Sequence, residues 1–146
     1  RILRERGITV AGPPPADLVD PVSDADLRLA VRESLEAWAI HLDDPAALRD
    51  TLRDAGRDLP ARARGGYQPY VVLTMCRALY TLEAGGVASK PEAGAWARHI
   101  LGEPSASLIA WALTWRPDTH TDRSDDIVAV VRVTLDRARR LDEPGA

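Results

Sequence analysis

From Ser23 to Leu141 apolar residues recur at steps of three and four, and capping or turn residues interrupt them at short intervals. That period belongs to helices that each bury one stripe. Ser23 with Asp26 makes a capping-box-like start, and Asp24 and Asp26 suit the positive end of a helix dipole. Leu27, Ala30, Val31, Ser34, Leu35 and Trp38 follow as one stripe, predicting a helix over about 24–41. Asp44-Pro45 then reads as an N-cap before a first-turn proline, and Leu48, Leu52 and Ala55 carry a shorter helix towards Gly56. Leu59 to Gly66, with its proline, arginines and glycines, reads as a mobile loop. Pro69 is expected to open a third helix over about 69–84, apolar on more than one face and therefore central, ended by Gly85-Gly86. Ser89-Lys90-Pro91-Glu92 is a full capping box for a fourth, which turns Ala93, Trp96, Ala97 and Ile100 inward. A fifth is expected over about 104–115 and a sixth over about 124–141. No alternating strand run follows residue 12, so the expected fold is all-α, a bundle of five to six helices preceded by a short linker.

The first residues read differently. Arg1 to Gly7 resembles the last turns of a helix closed by a glycine, and Ile8 to Ala11 is extended. Gly12-Pro13-Pro14-Pro15 is expected to forbid a helix. Residues 1–22 are therefore expected to be the end of a preceding domain and its linker, and 23–146 a helical domain.

Composition removes several function classes. A net charge of −3 argues against a nucleic-acid partner, which needs a basic face. No apolar run approaches the ~18–20 residues of a membrane helix, so no membrane partner is expected. The single cysteine, Cys76, excludes an intrachain disulfide and fits a reducing, cytoplasmic setting. Its place on an apolar stripe makes it core rather than nucleophile. His41, His99 and His120 form no motif, and no zinc spacing, phosphate-cradling glycine loop or serine elbow is present.

A few residues break the bland pattern. Arg77 places a charge on the most apolar helix and needs an anionic partner, either a structural carboxylate or a ligand phosphate. Lys90 is the single lysine beside eighteen arginines, a bias that a GC-rich genome explains. It sits in a first helical turn, where a phosphate is welcome but a cation is not. Two acidic pairs, Asp43/Asp44 and Asp125/Asp126, read first as helix-end residues. The former follows Trp38 closely, and a carboxylate beside an aromatic face suits a polycationic sugar.

The run from Val71 to Leu82, then Gly86, Ser89-Lys90 and Ala95-Trp96-Ala97, resembles the aminoglycoside 3″/9-adenylyltransferases, the streptomycin/spectinomycin resistance enzymes. Gly12-Pro13, Asp20-Pro21-Val22, Asp26-Leu27, Glu33, Leu35 and Trp38 are similar to the start of that family's C-terminal domain. The resemblance covers about residues 8–115. It implies a helical domain closing over a nucleotidyltransferase domain, with ATP, Mg²⁺ and an aminoglycoside or aminocyclitol between the two. The metal ligands and the general base belong to that other domain, so this chain alone is expected to be inactive. By resemblance Arg77 and Lys90 meet the nucleotide phosphates, and Trp38 and Asp43 meet the antibiotic. Residues 44–66 look like an insertion, and Tyr67 stands where a second ligand-binding aspartate is expected. The family's nucleotide-contacting tyrosine has no clear counterpart, Trp115 being one position off. The competing readings are a stand-alone helical binding or regulatory module without catalysis, and a scaffold without a ligand.

Overall fold

The computed structural model describes residues 2–55, 66–117 and 121–141. Among them are eight helices and no strand: α1 (Ile2–Arg6), α2 (Pro15–Leu18), α3 (Asp24–Leu42), α4 (Pro45–Asp54), α5 (Tyr67–Glu83), α6 (Lys90–Leu101), α7 (Ser105–Thr114) and α8 (Ser124–Arg140). The six from α3 onward are the expected bundle, and α1 and α2 raise the total to eight. The Gly7 N–H donates to the Leu3 carbonyl at 3.0 Å, closing α1 as expected. The proline run does not forbid a helix throughout. Pro15 starts the single turn of α2, because a proline at the first helical position gives up no intrahelical bond. The Arg4 guanidinium ties the two short helices together through the carbonyls of Ala16 and Val19. The loop expected from Leu59 and the residue His120 lie outside the described residues, save for Gly66.

The expected helix starts are present. Ser23 Oγ accepts from the Asp26 N–H at 3.1 Å, and Asp44 accepts from Ala46 and Ala47 at 3.1 and 3.0 Å. Ser89 and Glu92 close a reciprocal capping box. One start is misread. α5 opens at Tyr67 rather than Pro69, which puts the proline in the third helical position. Proline is tolerated there because the N–H groups of a first turn have no intrahelical acceptor.

α5 is the hub, packed against α3, α4, α6, α7 and α8. Val71, Val72, Met75, Cys76 and Leu79 are between 0% and 1% exposed, so its apolar sides are used all round. Each such side chain contributes about 1.5–3 kcal/mol by leaving water. α6 and α7 approach closely at Gly94, where an added Cβ would come 3.0 Å from Leu113 Cδ2. α4, inside the expected insertion, buries Leu48 and Leu52 at 2% each and so belongs to the core.

The ends of the bundle are tied by polar groups. Gln68 is fully buried. Its Nε2 donates to Asp122 Oδ1 at 2.9 Å and to the Leu52 carbonyl at 3.3 Å, while its Oε1 accepts from the Arg123 N–H at 3.0 Å. Asp122 Oδ1 also accepts from the Ser124 N–H at 3.0 Å, and its Oδ2 from Arg53 Nε at 2.8 Å. Asp122 thus satisfies the start of α8. Asp125 and Asp126 stand in the first turn as expected, paired with Arg49 and Arg123. At the other end Arg137 forks onto Glu83, with its Nη2 donating to Oε2 at 2.9 Å.

Gln68→Leu would remove a buried partner from three groups at once. Leaving a buried polar group unmet costs about 1–3 kcal/mol, so chemical denaturation should register a loss of about 2–4 kcal/mol. A loss under about 0.5 kcal/mol, the size of an ordinary surface change, would refute the linchpin role of Gln68. Partial burial pushes the Asp122 carboxyl up, but the donors Arg53, Gln68 and Ser124 outweigh it and hold it well below its ordinary value of 3.8. The stability this confers is present above that ordinary value and is lost as pH falls through the lower folded one. The stability gap between wild type and Asp122→Asn should therefore shrink progressively below about pH 4. A gap that stays constant between pH values of about 6 and 3 would exclude the linkage.

Candidate functional site

Gly85 and Gly86 end α5 with φ of +74° and +75°, a left-handed pair that side-chain-bearing residues rarely adopt. The chain then turns back along α5 instead of continuing past its end. As a result the Ala88 carbonyl accepts a hydrogen bond from Arg77 Nε at 3.1 Å, two turns before the helix finishes. The returning segment thus meets the arginine part-way along α5.

Lys90, the first residue of α6, lies farther back still, with its Nζ 4.8 Å from the centre of the Tyr70 ring. Tyr70 is 47% exposed and stacks with Tyr67, ring centres 6.1 Å apart at 23°. A cation at the positive end of a helix is unfavourable, and the negative face of the ring offsets that cost. Tyr70 and Arg77 are seven residues apart, so they share one face of α5 about 10 Å apart along its axis. The two cations picked from the sequence therefore flank one side of one helix. Burial and the neighbouring Tyr70 hydroxyl both push the Tyr67 hydroxyl upward.

Arg77 is half-buried, and its partner is a carbonyl rather than an acid. Among the described residues neither Arg77 nor Lys90 makes an ion pair. With Nε pinned, the two terminal nitrogens of Arg77 keep their donors for another acceptor. Arg77 also borders a groove of about 520 Å³ between α3 and α5. Its walls include Leu27, Val31, Ser34, Thr74 and Thr81, with Ile2 and Leu3 of α1 also lining it.

Near the start of α3 the Arg28 guanidinium comes 3.6 Å from the place a Cβ would occupy at Gly85, so α3 and α5 run antiparallel. The Trp38 end of α3 is consequently at the Tyr67–Tyr70 end of α5. Trp38 is half-buried against the core and meets His41 edge-on, ring centres 5.7 Å apart. Asp43 is the exposed C-cap of α3, while Asp44 is committed to capping α4. At 100° per residue Trp38 and Asp43 are about 140° apart around the helix axis, so they do not share a face. Trp115 ends α7 with its Nε1 buried and, among the described residues, without a hydrogen-bond partner.

Sequence reasoning missed Tyr70 and marked Tyr67 only as standing where an aspartate is expected. The seven-residue interval from Tyr70 to Arg77 was a usable signal for a shared face, but nothing local announced that Lys90 would come to rest on that ring. His99 and His41 are exposed. The described residues contain no group of three or more His, Cys, Asp or Glu suited to a metal ion. No described helix is long and apolar enough to cross a membrane.

The family model described as aminoglycoside adenylyltransferase, C-terminal domain, matches residues 17–138. No curated protein matches the chain. The matched span runs from α2 through nearly all of α8.

Cys76, one residue before Arg77, is 1% exposed, and burial pushes its thiol up to about 12. The reactive thiolate is accordingly scarce at neutral and mildly basic pH. A disulfide reagent at about pH 8 should label it only on global unfolding, with a rate that tracks denaturant. Immediate stoichiometric labelling of the native chain would contradict the core position.

Proposed function

Because this chain belongs to the aminoglycoside adenylyltransferase C-terminal-domain family, we propose that it is the helical domain that binds nucleotide and antibiotic in an enzyme transferring AMP from ATP to an aminoglycoside or aminocyclitol hydroxyl. The observation that carries the nucleotide part is the state of two cations. Arg77 and Lys90 flank one side of α5, and neither has a carboxylate partner among the described residues. A half-buried arginine without an acid is costly unless an anion completes it. A triphosphate is such an anion, and each charge-assisted contact to it is worth about 1.5–3 kcal/mol.

On this reading Arg77 presents its terminal guanidinium nitrogens to one part of the phosphate chain, and Lys90 brings a compact ammonium to another. Together they orient the nucleotide and offset its charge. Mg²⁺ would further neutralise the phosphates, but the described residues offer it no acidic cluster. Its ligands and the base that activates the hydroxyl are proposed to come from a nucleotidyltransferase domain outside 23–146. Trp38 and Asp43 are proposed to serve the antibiotic, the exposed carboxylate pairing with an ammonium or guanidinium and the indole packing on a sugar face. Their separation around α3 means that one ligand would have to bridge the α3–α4 corner to touch both.

Two experiments test the reading. The isolated chain, with ATP, Mg²⁺ and streptomycin or spectinomycin, should give no adenylylated product by mass spectrometry, and turnover by a pure sample would overturn the assignment of chemistry to another domain. In the two-domain enzyme Arg77→Ala should weaken ATP binding about tenfold or more. It should cost only about 1–2 kcal/mol in stability, the scale of one lost hydrogen bond. If Arg77 were instead one half of a structural ion pair, its removal would cost about 3–5 kcal/mol and leave the ATP affinity of the folded protein unchanged.

A further inference from the structure

Lys90 carries the longest flexible stem available to a cation, and an unrestrained ammonium loses much rotamer freedom when it meets a ligand. Here it is not unrestrained. Its Nζ stands 4.8 Å from the centre of the Tyr70 ring. Tyr70 is in turn held by stacking on Tyr67, whose own side chain is half-buried against the core. The order of support therefore runs from core to Tyr67, to Tyr70, to the ammonium. Tyr70 is the one exposed residue of α5, at 47%, although its neighbours Val71 and Val72 are fully buried. The ring face occupies one side of the ammonium. Three N–H donors project from the nitrogen, so the side away from the ring can still donate to an anion. Arg77, on the same face of α5, is held in an analogous way by the Ala88 carbonyl.

We propose that Tyr70 is a positioning residue for nucleotide binding, its ring holding the Lys90 ammonium where it meets phosphate and staying beneath it in the complex. This rests on the reading that Lys90 contacts the nucleotide. It adds that the lysine's position is set by an aromatic side chain from α5 and not by the capping box of its own helix. The working part of Tyr70 is the ring, so its hydroxyl is dispensable.

The single lysine of the chain makes this directly observable. Reductive ¹³C-methylation keeps the charge and labels only Lys90 and the terminal amine, two signals that separate by pH titration. In the native chain the Lys90 methyl signal should be shifted by the ring current of Tyr70. It should stay shifted in Tyr70→Phe and return to the free-lysine position in Tyr70→Leu. Tripolyphosphate should then move the signal further without abolishing the ring shift. In calorimetric titrations with tripolyphosphate, Tyr70→Leu should bind about two- to fivefold more weakly than wild type, the scale of an exposed cation–π contact, with Tyr70→Phe restored. Tyr70→Leu should add nothing once Lys90→Gln is present, because a coupled pair cannot be lost twice. A Lys90 signal without ring shift, or a Tyr70→Leu defect that persists undiminished on Lys90→Gln, overturns the proposal. If Lys90→Gln itself leaves phosphate affinity unchanged, the nucleotide role of Lys90 fails and the role of Tyr70 falls with it. If Lys90→Gln weakens binding and Tyr70→Leu does not, only the positioning role fails.

Discussion

A helix that is apolar on nearly every side has to be enclosed, and the arrangement of this protein follows from enclosing α5. α3, α4, α6, α7 and α8 all pack on it, each contributing one stripe, and the tight α6–α7 crossing at Gly94 lets two of them fit side by side. Interiors packed at crystal-like density leave few places for a polar group. Two of the polar residues that α5 does carry, Gln68 and Glu83, stand at its ends. Gln68 is fully buried but meets three partners, and it joins the start of the hub to the end of α4 and the start of α8. Glu83 closes the opposite end against Arg137.

Arg77 lies between those two ends, and its environment distinguishes it from them. Gln68 and Glu83 are matched by the fold itself, whereas Arg77 has one carbonyl for Nε and no acid among the described residues. The same α5–α6 segment that supplies this carbonyl also delivers Lys90 to Tyr70. Arg77 is thereby oriented by a backbone group and Lys90 by a ring. Neither of these partners neutralises its cation, and positive charge with acceptors still to find is what a polyanionic ligand requires. The neighbouring Cys76 needs no role in this chemistry, since burial keeps its thiol protonated.

Helix positions were legible because they depend on neighbours three or four residues away. Ser89 and Glu92 cap each other within one turn, as Asp44 caps α4, and such pairs can be read without knowing where the rest of the chain goes. The misreadings share a cause. Pro15 reads as a helix breaker and Pro69 as the first residue of its helix, yet each simply falls in a first turn where its missing N–H costs nothing. The pair Asp125 and Asp126 is legible in the sequence and Asp122 is not, because the value of Asp122 comes from Gln68 and Arg53, which lie 54 and 69 residues away.

The all-helical class, the central place of α5, the buried state of Cys76 and the oddness of Arg77 and Lys90 were determined by local sequence. They follow from a period near 3.6 and from charge set where apolar residues were due. The tertiary structure alone decided which groups would answer those charges. Whether Arg77 met a carboxylate or stayed open to a ligand was undecidable from its own helix. The partner is the Ala88 carbonyl, and every residue has a carbonyl. Only the reversal at Gly85 and Gly86 brings this one back two turns along α5, and carries the single lysine on to a ring from the start of the same helix.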